Sequence, residues 1–125
     1  MPARKNHPDA PLVEEIIDRL TPFAPVSSRF MFGGWGLFVE GLMFGLVDDG
    51  SVFLRADEVN RPTFEAAGQR QWVYEMRGKP TTLPYFSLPE DDFDDPEALR
   101  AWFEGAREAA IRNAKPKRSR VKKQT

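Results

Sequence analysis

The chain has 125 residues and a net charge of −1; 41% of its residues are hydrophobic and 30% charged, which predicts one folded domain with its own core. It contains no cysteine, which excludes disulfide bonds, thiol catalysis and thiolate metal sites and fits a cytoplasmic protein. No apolar run approaches the roughly 20 residues of a membrane-spanning helix, and the polar N-terminus lacks the apolar segment of a secretion signal.

The first helix is predicted after a flexible lead at residues 1–10. Asp9 is placed at its N-cap and Pro11 in its first turn, and Pro22 ends it, because proline lacks the N–H that the next turn needs. His7, the one histidine of the chain, falls in the lead and is interpreted as incidental. The apolar positions recur on one helical face: Val13, Ile16, Ile17 and Leu20.

Three strands are predicted next, because aromatic and β-branched residues are concentrated between glycine-containing links. The strands are placed at residues 29–39, 42–47 and 51–56, as an antiparallel meander with two-residue links. The second link, Asp49-Gly50, is a strong signal for a type I′ turn, in which both central residues have positive φ. Three glycines, at positions 33, 34 and 36, interrupt the first strand. They predict a bulge or sharp bend, with positive φ at Gly34 or Gly36.

A short helix capped by Asn60 is predicted after the meander and ends before Gly68. Residues 72–76 alternate as a fourth strand, and residues 81–86 form a fifth, which Pro84 confines to a sheet edge or makes irregular. The last helix begins after an acidic loop, with a capping aspartate and a proline at its first position. Asp95 is the cap and Pro96 the first residue of this helix. Its buried stripe consists of Leu99, Trp102, Phe103, Ala106 and Ala110.

Together these elements predict an α+β fold of order α-β-β-β-α-β-β-α, in which an antiparallel sheet packs with helices. The domain is placed at residues 11–114, followed by a basic tail at 115–125. The strands at 42–47 and 52–54 are apolar at successive positions, so both faces of the sheet carry hydrophobic groups. Helices on one face would leave the other exposed, and we therefore predict a two-fold homodimer. The alternative is that the helices divide between the two faces and the monomer is complete.

The sequence offers little for catalysis or metal binding. The predicted domain has no histidine for a catalytic dyad or metal site. The acidic residues between 91 and 95 lack the spacing of a calcium loop and are interpreted as a solubilising loop with a helix cap. No pattern brings Glu40, Asp57 and Glu75 together for acid–base chemistry. We therefore predict no catalytic, cofactor-binding or metal-binding residues, and a binding protein and not an enzyme.

Two residues are candidates for contact with a partner. Trp35 follows the glycine-rich bend, where an aromatic side chain can be exposed for recognition. The bend itself does not match a phosphate-binding loop, because the third glycine and a Gly-Lys-Ser/Thr sequence are missing. Arg55 ends the third strand beside Asp57 and Glu58. It either makes surface ion pairs or is positioned for an anionic partner.

The C-terminal tail is strongly basic. Removing its six basic residues from the 18 in the chain leaves 12 against 19 acidic residues, so an acidic body carries a basic tail. Such a tail either binds nucleic-acid phosphates or is only a solvated segment that aids solubility. The candidate nucleic-acid-binding residues are Lys115, Lys117, Arg118, Arg120, Lys122 and Lys123.

Several motifs, in order, resemble the TfoX N-terminal domain family. The strand motifs are Met31-Phe32-Gly33-Gly34-Trp35-Gly36-Leu37, Met43-Phe44-Gly45-Leu46 and Phe53-Leu54-Arg55-Ala56-Asp57. The later motifs are Phe64-Glu65-Ala66-Ala67-Gly68, Leu83-Pro84-Tyr85-Phe86, Leu88-Pro89 and Asp95-Pro96-Glu97-Ala98-Leu99-Arg100-Ala101-Trp102. The resemblance covers residues 12–114, nearly all of the predicted domain.

The resemblance implies an α+β domain likened to type III secretion chaperones. It also implies a link to the regulation of competence genes in bacteria, and it brings no catalytic residues. We therefore expect a regulatory adaptor that binds a protein partner, with a link to transcription. The alternative is a protein that binds nucleic acid weakly through the basic tail. A third interpretation is a small-ligand binder or enzyme with its site at the Gly33–Gly36 bend.

Overall fold

A computed structural model describes residues 7–114, and the predictions for residues 1–6 and 115–125 lie outside this range. Six antiparallel strands form one sheet, which confirms the α+β class. The helices are α1 (Ala10–Leu20), α2 (Arg61–Ala66), α3 (Glu90–Phe93) and α4 (Pro96–Arg112). The strands are β1 (Val26–Met31), β2 (Gly34–Val39), β3 (Leu42–Asp48), β4 (Ser51–Arg55), β5 (Gln71–Met76) and β6 (Lys79–Ser87), in the sheet order β1-β2-β3-β4-β6-β5.

The first predicted strand is a hairpin and not one bent strand. Phe32 and Gly33 have φ of 56° and 77°, and the chain turns between β1 and β2. The prediction of positive φ at Gly34 or Gly36 is wrong, because the turn lies one residue earlier and both glycines are in β2. No Asn-Gly or Asp-Gly pair marks this turn, since a phenylalanine occupies its first position. The structure therefore adds a strand to the predicted order, and also the short α3.

Two-residue turns with positive φ at both positions join four pairs of consecutive strands. The prediction for Asp49-Gly50 is confirmed, with φ of 50° and 76°. Glu40-Gly41 and Arg77-Gly78 have the same conformation as Phe32-Gly33. This handedness matches the right-handed twist of paired strands, so each turn returns the chain directly into the sheet.

Pro84 lies within an interior strand. Of the two predicted effects, it therefore makes the strand irregular and does not confine it to the edge of the sheet. Strand β6 lies between β4 and β5. The register against β5 changes from Gln71↔Phe86 to Val73↔Thr82, which leaves Pro84 in the irregular stretch of β6. There its missing N–H costs no ladder bond, while its carbonyl oxygen accepts from the backbone N of Ala56 at 2.9 Å.

The helix caps differ in how they are made. Asp95 caps α4 as predicted, since its side chain accepts from the backbone N of Glu97 and Ala98. Asp9 and Asn60 occupy N-cap positions but make no side-chain capping bond. Instead Asp9 Oδ1 accepts from the backbone N of Gly50 at 2.9 Å and so ties the start of α1 to the β3–β4 turn.

The main hydrophobic core lies between the helices and one face of the sheet. Phe44 on β3 meets Phe103 on α4 edge to face, with ring centroids 4.9 Å apart. Phe64 on α2 stacks on Phe86 of β6. The helices bury the predicted stripes against this face, and the fully buried residues include Ile16, Leu20, Leu37, Leu54, Leu99 and Ala106.

A second, smaller cluster lies on the opposite face of the sheet and contains strand residues alone. Its buried members are Leu46, Phe53, Trp72 and Tyr85, with Met43, Tyr74 and Leu83 packed around them. Trp72 and Phe53 are each only 4% exposed. The prediction that both faces carry hydrophobic groups is therefore confirmed, and large aromatic side chains on this face cover one another.

None of the helices within residues 7–114 is long and apolar enough to cross a membrane. The cytoplasmic location stays a prediction.

Two glycine substitutions should change stability in opposite directions. A Cβ at Gly34 would collide with the backbone carbonyl oxygen of Val47 on β3. Gly34→Ala should therefore lower the free energy of unfolding by about 1–3 kcal/mol, as overpacking does.

Gly105 lies inside α4, where the nearest atom to a new Cβ is Asn60 Nδ2 at 3.9 Å. Gly105→Ala should raise stability by about 0.5–1 kcal/mol through helix propensity. Urea unfolding followed by circular dichroism measures both, and a neutral Gly34→Ala would contradict the close approach.

Candidate functional site

The sheet face opposite the helices is the main candidate surface, and we call it the open face. It combines the second aromatic cluster with arginines and the tip of the β1–β2 turn. Its position follows from the alternation of the strands, which sends every second side chain away from the helices. Its residues are Arg29, Phe32, Phe38, Met43, Leu46, Phe53, Arg55, Arg70, Trp72, Tyr74, Leu83 and Tyr85.

Three arginines of the open face lie over aromatic rings. The guanidinium carbon of Arg29 is 5.0 Å from the ring centroid of Phe38, and that of Arg70 is 5.1 Å from that of Phe53. Arg55 lies 5.8 Å from the ring centroid of Tyr85. Burial raises the pKa of Tyr85, and the neighbouring Arg55 opposes that shift. The rings hold the guanidinium groups in place without using their N–H donors, of which Arg70 Nη2 donates to Ser51 Oγ at 3.3 Å.

The arginines on the two sides of the sheet differ in their ion pairs. On the helical side, five arginines pair with carboxylates: Arg19, Arg61, Arg100, Arg107 and Arg112. Within residues 7–114, Arg29, Arg55 and Arg70 make no ion pair. The carboxylate of Asp48, on the same face, accepts from Trp72 Nε1 at 3.0 Å. Within residues 7–114, the arginines of the open face therefore carry positive charges that no ion pair offsets.

Phe32 projects from the β1–β2 turn onto the edge of the open face. Its ring contacts those of Tyr74 at 5.2 Å and Trp72 at 6.3 Å, yet the residue is 48% exposed. A bulky residue with positive φ is strained, and strained residues in a tight turn often serve recognition. The turn thus holds a half-exposed aromatic ring in a fixed position.

Trp35 and Arg55, the two predicted contact residues, lie on opposite faces of the sheet. Trp35 packs beside the main core, with its ring 4.9 Å from those of His7 and Phe30. Arg55 is on the open face, so the two residues do not form one site. The space beside the Gly33–Gly36 segment measures about 10 Å³, which is about the room that one water molecule needs.

Asp57 organises the junction between the end of β4, α2 and the C-terminal end of α4. Its carboxylate accepts two bonds from Arg112, at 2.7 and 2.8 Å, and one from Asn113 Nδ2 at 3.0 Å. It also accepts from the backbone N of Val59 and Asn60. The bonds from Arg112, together with those from the two backbone N–H groups and Asn113, hold the pKa of Asp57 far below its usual range, although burial opposes the shift.

Asn60 joins the same junction from the start of α2. Its Oδ1 accepts from the backbone N of Asp57 at 2.7 Å, and its Nδ2 donates to the carbonyl oxygens of Arg55 and Gly105. The side chain that sequence analysis assigned to helix capping therefore links β4 to α4. This linkage fixes the backbone that presents Arg55.

Two further kinds of site were considered in the sequence, for a metal ion and for nucleic acid. Among residues 7–114, no three His, Asp or Glu side chains are grouped so that they could hold a metal ion. The six candidate nucleic-acid-binding residues from Lys115 to Lys123 lie outside the described residues.

Sequence reasoning did not single out Arg29, Phe32 or Arg70. Arg29 and Phe32 were hidden because residues 29–39 were read as one strand. If the turn had been predicted at Phe32-Gly33, the pairing of the two strands would have placed Arg29 and Phe38 on the same face of the sheet. Arg70 precedes β5 and carries no periodic signal, so only its contact with Phe53 identifies it.

Comparison with known proteins gives two matches. Residues 18–110 match the TfoX N-terminal domain family. The chain is also 32% identical over 79 residues to the DNA transformation protein TfoX1 of Aliivibrio fischeri (strain ATCC 700601 / ES114). That match covers 63% of this chain but only 38% of the relative.

The Asp57 junction should make stability depend on pH. Because the folded-state pKa is lowered from the ordinary 3.8, the carboxylate stabilises the fold above that pH, and this contribution is lost as the pH falls further. Asp57→Asn should therefore be less stable than wild type at pH 7, with the difference shrinking over roughly pH 5 to 2. Urea unfolding across this range measures it, with Glu104→Gln as the control for an exposed ion pair. A difference independent of pH would contradict the charge-based role.

Proposed function

Because the chain belongs to the TfoX N-terminal domain family, we propose that it is a regulatory domain that acts by contact with a protein partner. The relative from Aliivibrio fischeri is named for DNA transformation. We extend that context to this chain and propose a role in the regulation of competence-related transcription. Binding, and not catalysis, is the activity that we assign to the domain.

The open face carries this proposal. It offers arginines held on aromatic rings, without ion pairs among the described residues, beside the half-exposed ring of Phe32. Arginine and aromatic residues are enriched at the energetic centres of protein interfaces. A partner that places carboxylates over Arg29 and Arg70 and an apolar side chain beside Phe32 would complement this surface.

The distribution of charge supports an acidic partner. Most acidic residues of the chain lie in the helices or between α3 and α4, and the helices pack on the opposite face of the sheet. An acidic surface is repelled from that side and attracted to the open face, which orients the encounter. The acidic residues in question are Glu14, Glu15, Asp18, Glu65, Glu90, Asp91, Asp92, Asp94, Asp95, Glu97, Glu104 and Glu108.

Burial of the aromatic cluster favours a protein over a single-stranded nucleic acid at this face. Bases bind such platforms by stacking on exposed rings. Trp72 and Phe53 are 4% exposed and Tyr85 is 8% exposed, so their rings are not available for stacking. Nucleic-acid binding through the basic tail is the alternative and does not involve the open face.

Reversing charge on the open face should abolish partner capture. We expect Arg29→Glu/Arg70→Glu to weaken binding by at least about tenfold, since it replaces two attractive contacts by repulsion. Arg100→Glu/Arg107→Glu on α4 is the matched control, with the same change in charge on the helical side. Tagged variants are used for capture from nuclease-treated lysate, and each protein lost only with the open-face variant is purified and its affinity measured directly.

Two outcomes would contradict the proposal. One is equal capture of all proteins by the two double variants. The other is capture that disappears with nuclease treatment and on deletion of residues 115–125, which would favour the nucleic-acid alternative.

Self-association as a two-fold dimer is a second part of the proposal, and we propose the edge of the sheet as its location. The second sheet face is covered by its own aromatic residues, whereas the edge strand β5 exposes Val73 (53%) and Met76 (47%). A two-fold dimer that pairs the β5 edges would cover both. Light scattering should give twice the 14.3 kDa of one chain, and Val73→Lys should give the monomer, because a lysine on an edge strand opposes pairing with a second edge. Val59→Lys, at another exposed apolar position, is the control. A wild-type mass of one chain at micromolar concentration would contradict the dimer.

A further inference from the structure

A pocket of about 250 Å³ opens where β4 and β6 meet α2 and the C-terminal end of α4. Its polar lining includes Arg55, Arg61 and Asn113, and its apolar wall includes Pro84 and Phe86. This volume lies just below the usual range of small-molecule sites, so it suits a compact ligand. The pocket is separate from the contact that we propose over Arg29 and Arg70, and the two can be tested independently.

Arg55 lines this pocket, and its guanidinium lies beside the ring of Tyr85. Its Nε is buried and has no hydrogen-bond partner among the described residues. Within the same range, Arg55 makes no ion pair with a carboxylate. A buried donor left unpaired loses its hydration without compensation, and such exceptions in a native fold call for a missing partner.

Asp57 does not supply that partner, although it also lines the pocket. Its two oxygens are occupied by Arg112, Asn113 and two backbone N–H groups. Asn60 further restrains this junction, because its Nδ2 donates to the backbone carbonyl oxygen of Arg55. Asp57 therefore forms its ion pair with Arg112 and not with Arg55.

The remaining charges favour one negative charge on the ligand. Arg61 pairs with Glu65 at 3.4 Å, but both side chains are at least half exposed, so this pair is weak. Glu58 also lines the pocket and opposes a group with two charges, such as phosphate. A planar carboxylate matches the fork of a guanidinium.

The apolar wall defines the rest of the ligand. Phe86 is 5% exposed, and the guanidinium of Arg61 lies 5.6 Å from its ring centroid. We propose that this pocket binds a carboxylate that carries a small apolar group, with Arg55 as its principal partner. The carboxylate belongs either to a free organic acid or to the C-terminus of a peptide that ends in an apolar residue.

Nuclear magnetic resonance of the ¹⁵N-labelled full chain tests the proposal. The probes are 3-phenylpropionate, its neutral amide, inorganic phosphate, and a tetrapeptide ending in phenylalanine with a free or an amidated C-terminus. We expect 3-phenylpropionate to cause saturable shifts at the backbone amides of residues 55–58 and 85–86 and at the Arg55 side chain. The neutral amide should cause none. If the tetrapeptide with a free C-terminus binds more tightly than 3-phenylpropionate, the source is a chain end, and the reverse order indicates a free acid.

Variants assign the site. Arg55→Gln should weaken binding of 3-phenylpropionate by about tenfold or more, whereas Arg100→Gln on α4 should leave it unchanged. If Arg55→Gln does not fold, Arg61→Gln at the pocket rim should still weaken binding, and the comparison of acid with amide on the wild type decides the matter. The proposal is overturned by equal binding of acid and amide, by phosphate binding more tightly than the acid, or by no saturable shift. Arg29→Glu/Arg70→Glu should bind the acid normally, so failure of the open-face proposal would leave this result intact.

Discussion

Both faces of this sheet are apolar, yet every helix packs on one of them, and much of the architecture follows from that imbalance. The helical side is covered in the usual way, by stripes on α1 and α4 that bury strand residues such as Phe44 and Leu54. The other side has no second layer among the described residues. Trp72, Phe53 and Tyr85 cover it by packing against one another, and arginines lie over the rings. Because the rings need this cover, the arginines are held where a partner can reach them.

The junction at the end of β4 is the second organising feature. Asp57 and Asn60 occupy the short link between β4 and α2, and together they hold Arg112 and the backbone of Gly105 on α4. The longest helix is therefore attached to the sheet by polar contacts at its C-terminal part as well as by its apolar stripe. The same contacts occupy the carboxylate of Asp57, and Arg55 makes no ion pair within residues 7–114.

The sequence predicted those parts of the fold that depend on residues close together in the chain. The stripe of α4, its cap at Asp95 and the Asp49-Gly50 turn all depend on neighbouring residues, and all are present. The β1–β2 turn was missed because Phe32 adopts a left-handed conformation that its side chain disfavours. Only the pairing of whole strands imposes that conformation. The candidate site was harder to predict than the fold, since the contacts Arg70–Phe53 and Asp57–Arg112 join residues far apart in sequence. Arg55 was identified as a candidate, but its pocket depends on tertiary structure.

The apolar character of both faces also changes what determines strand alignment. In a sheet with one wet face, sliding a strand by one residue exposes its hydrophobic side chains, and that penalty selects the correct alignment. Here a slip of β3 by one residue would exchange one apolar set for another, such as Leu46 for Val47, at a smaller cost. The tight turns, and the glycines that admit a neighbouring strand closely, must supply the missing selection. Damage to a turn in this protein should therefore yield misaligned, aggregation-prone chains as well as a less stable native state.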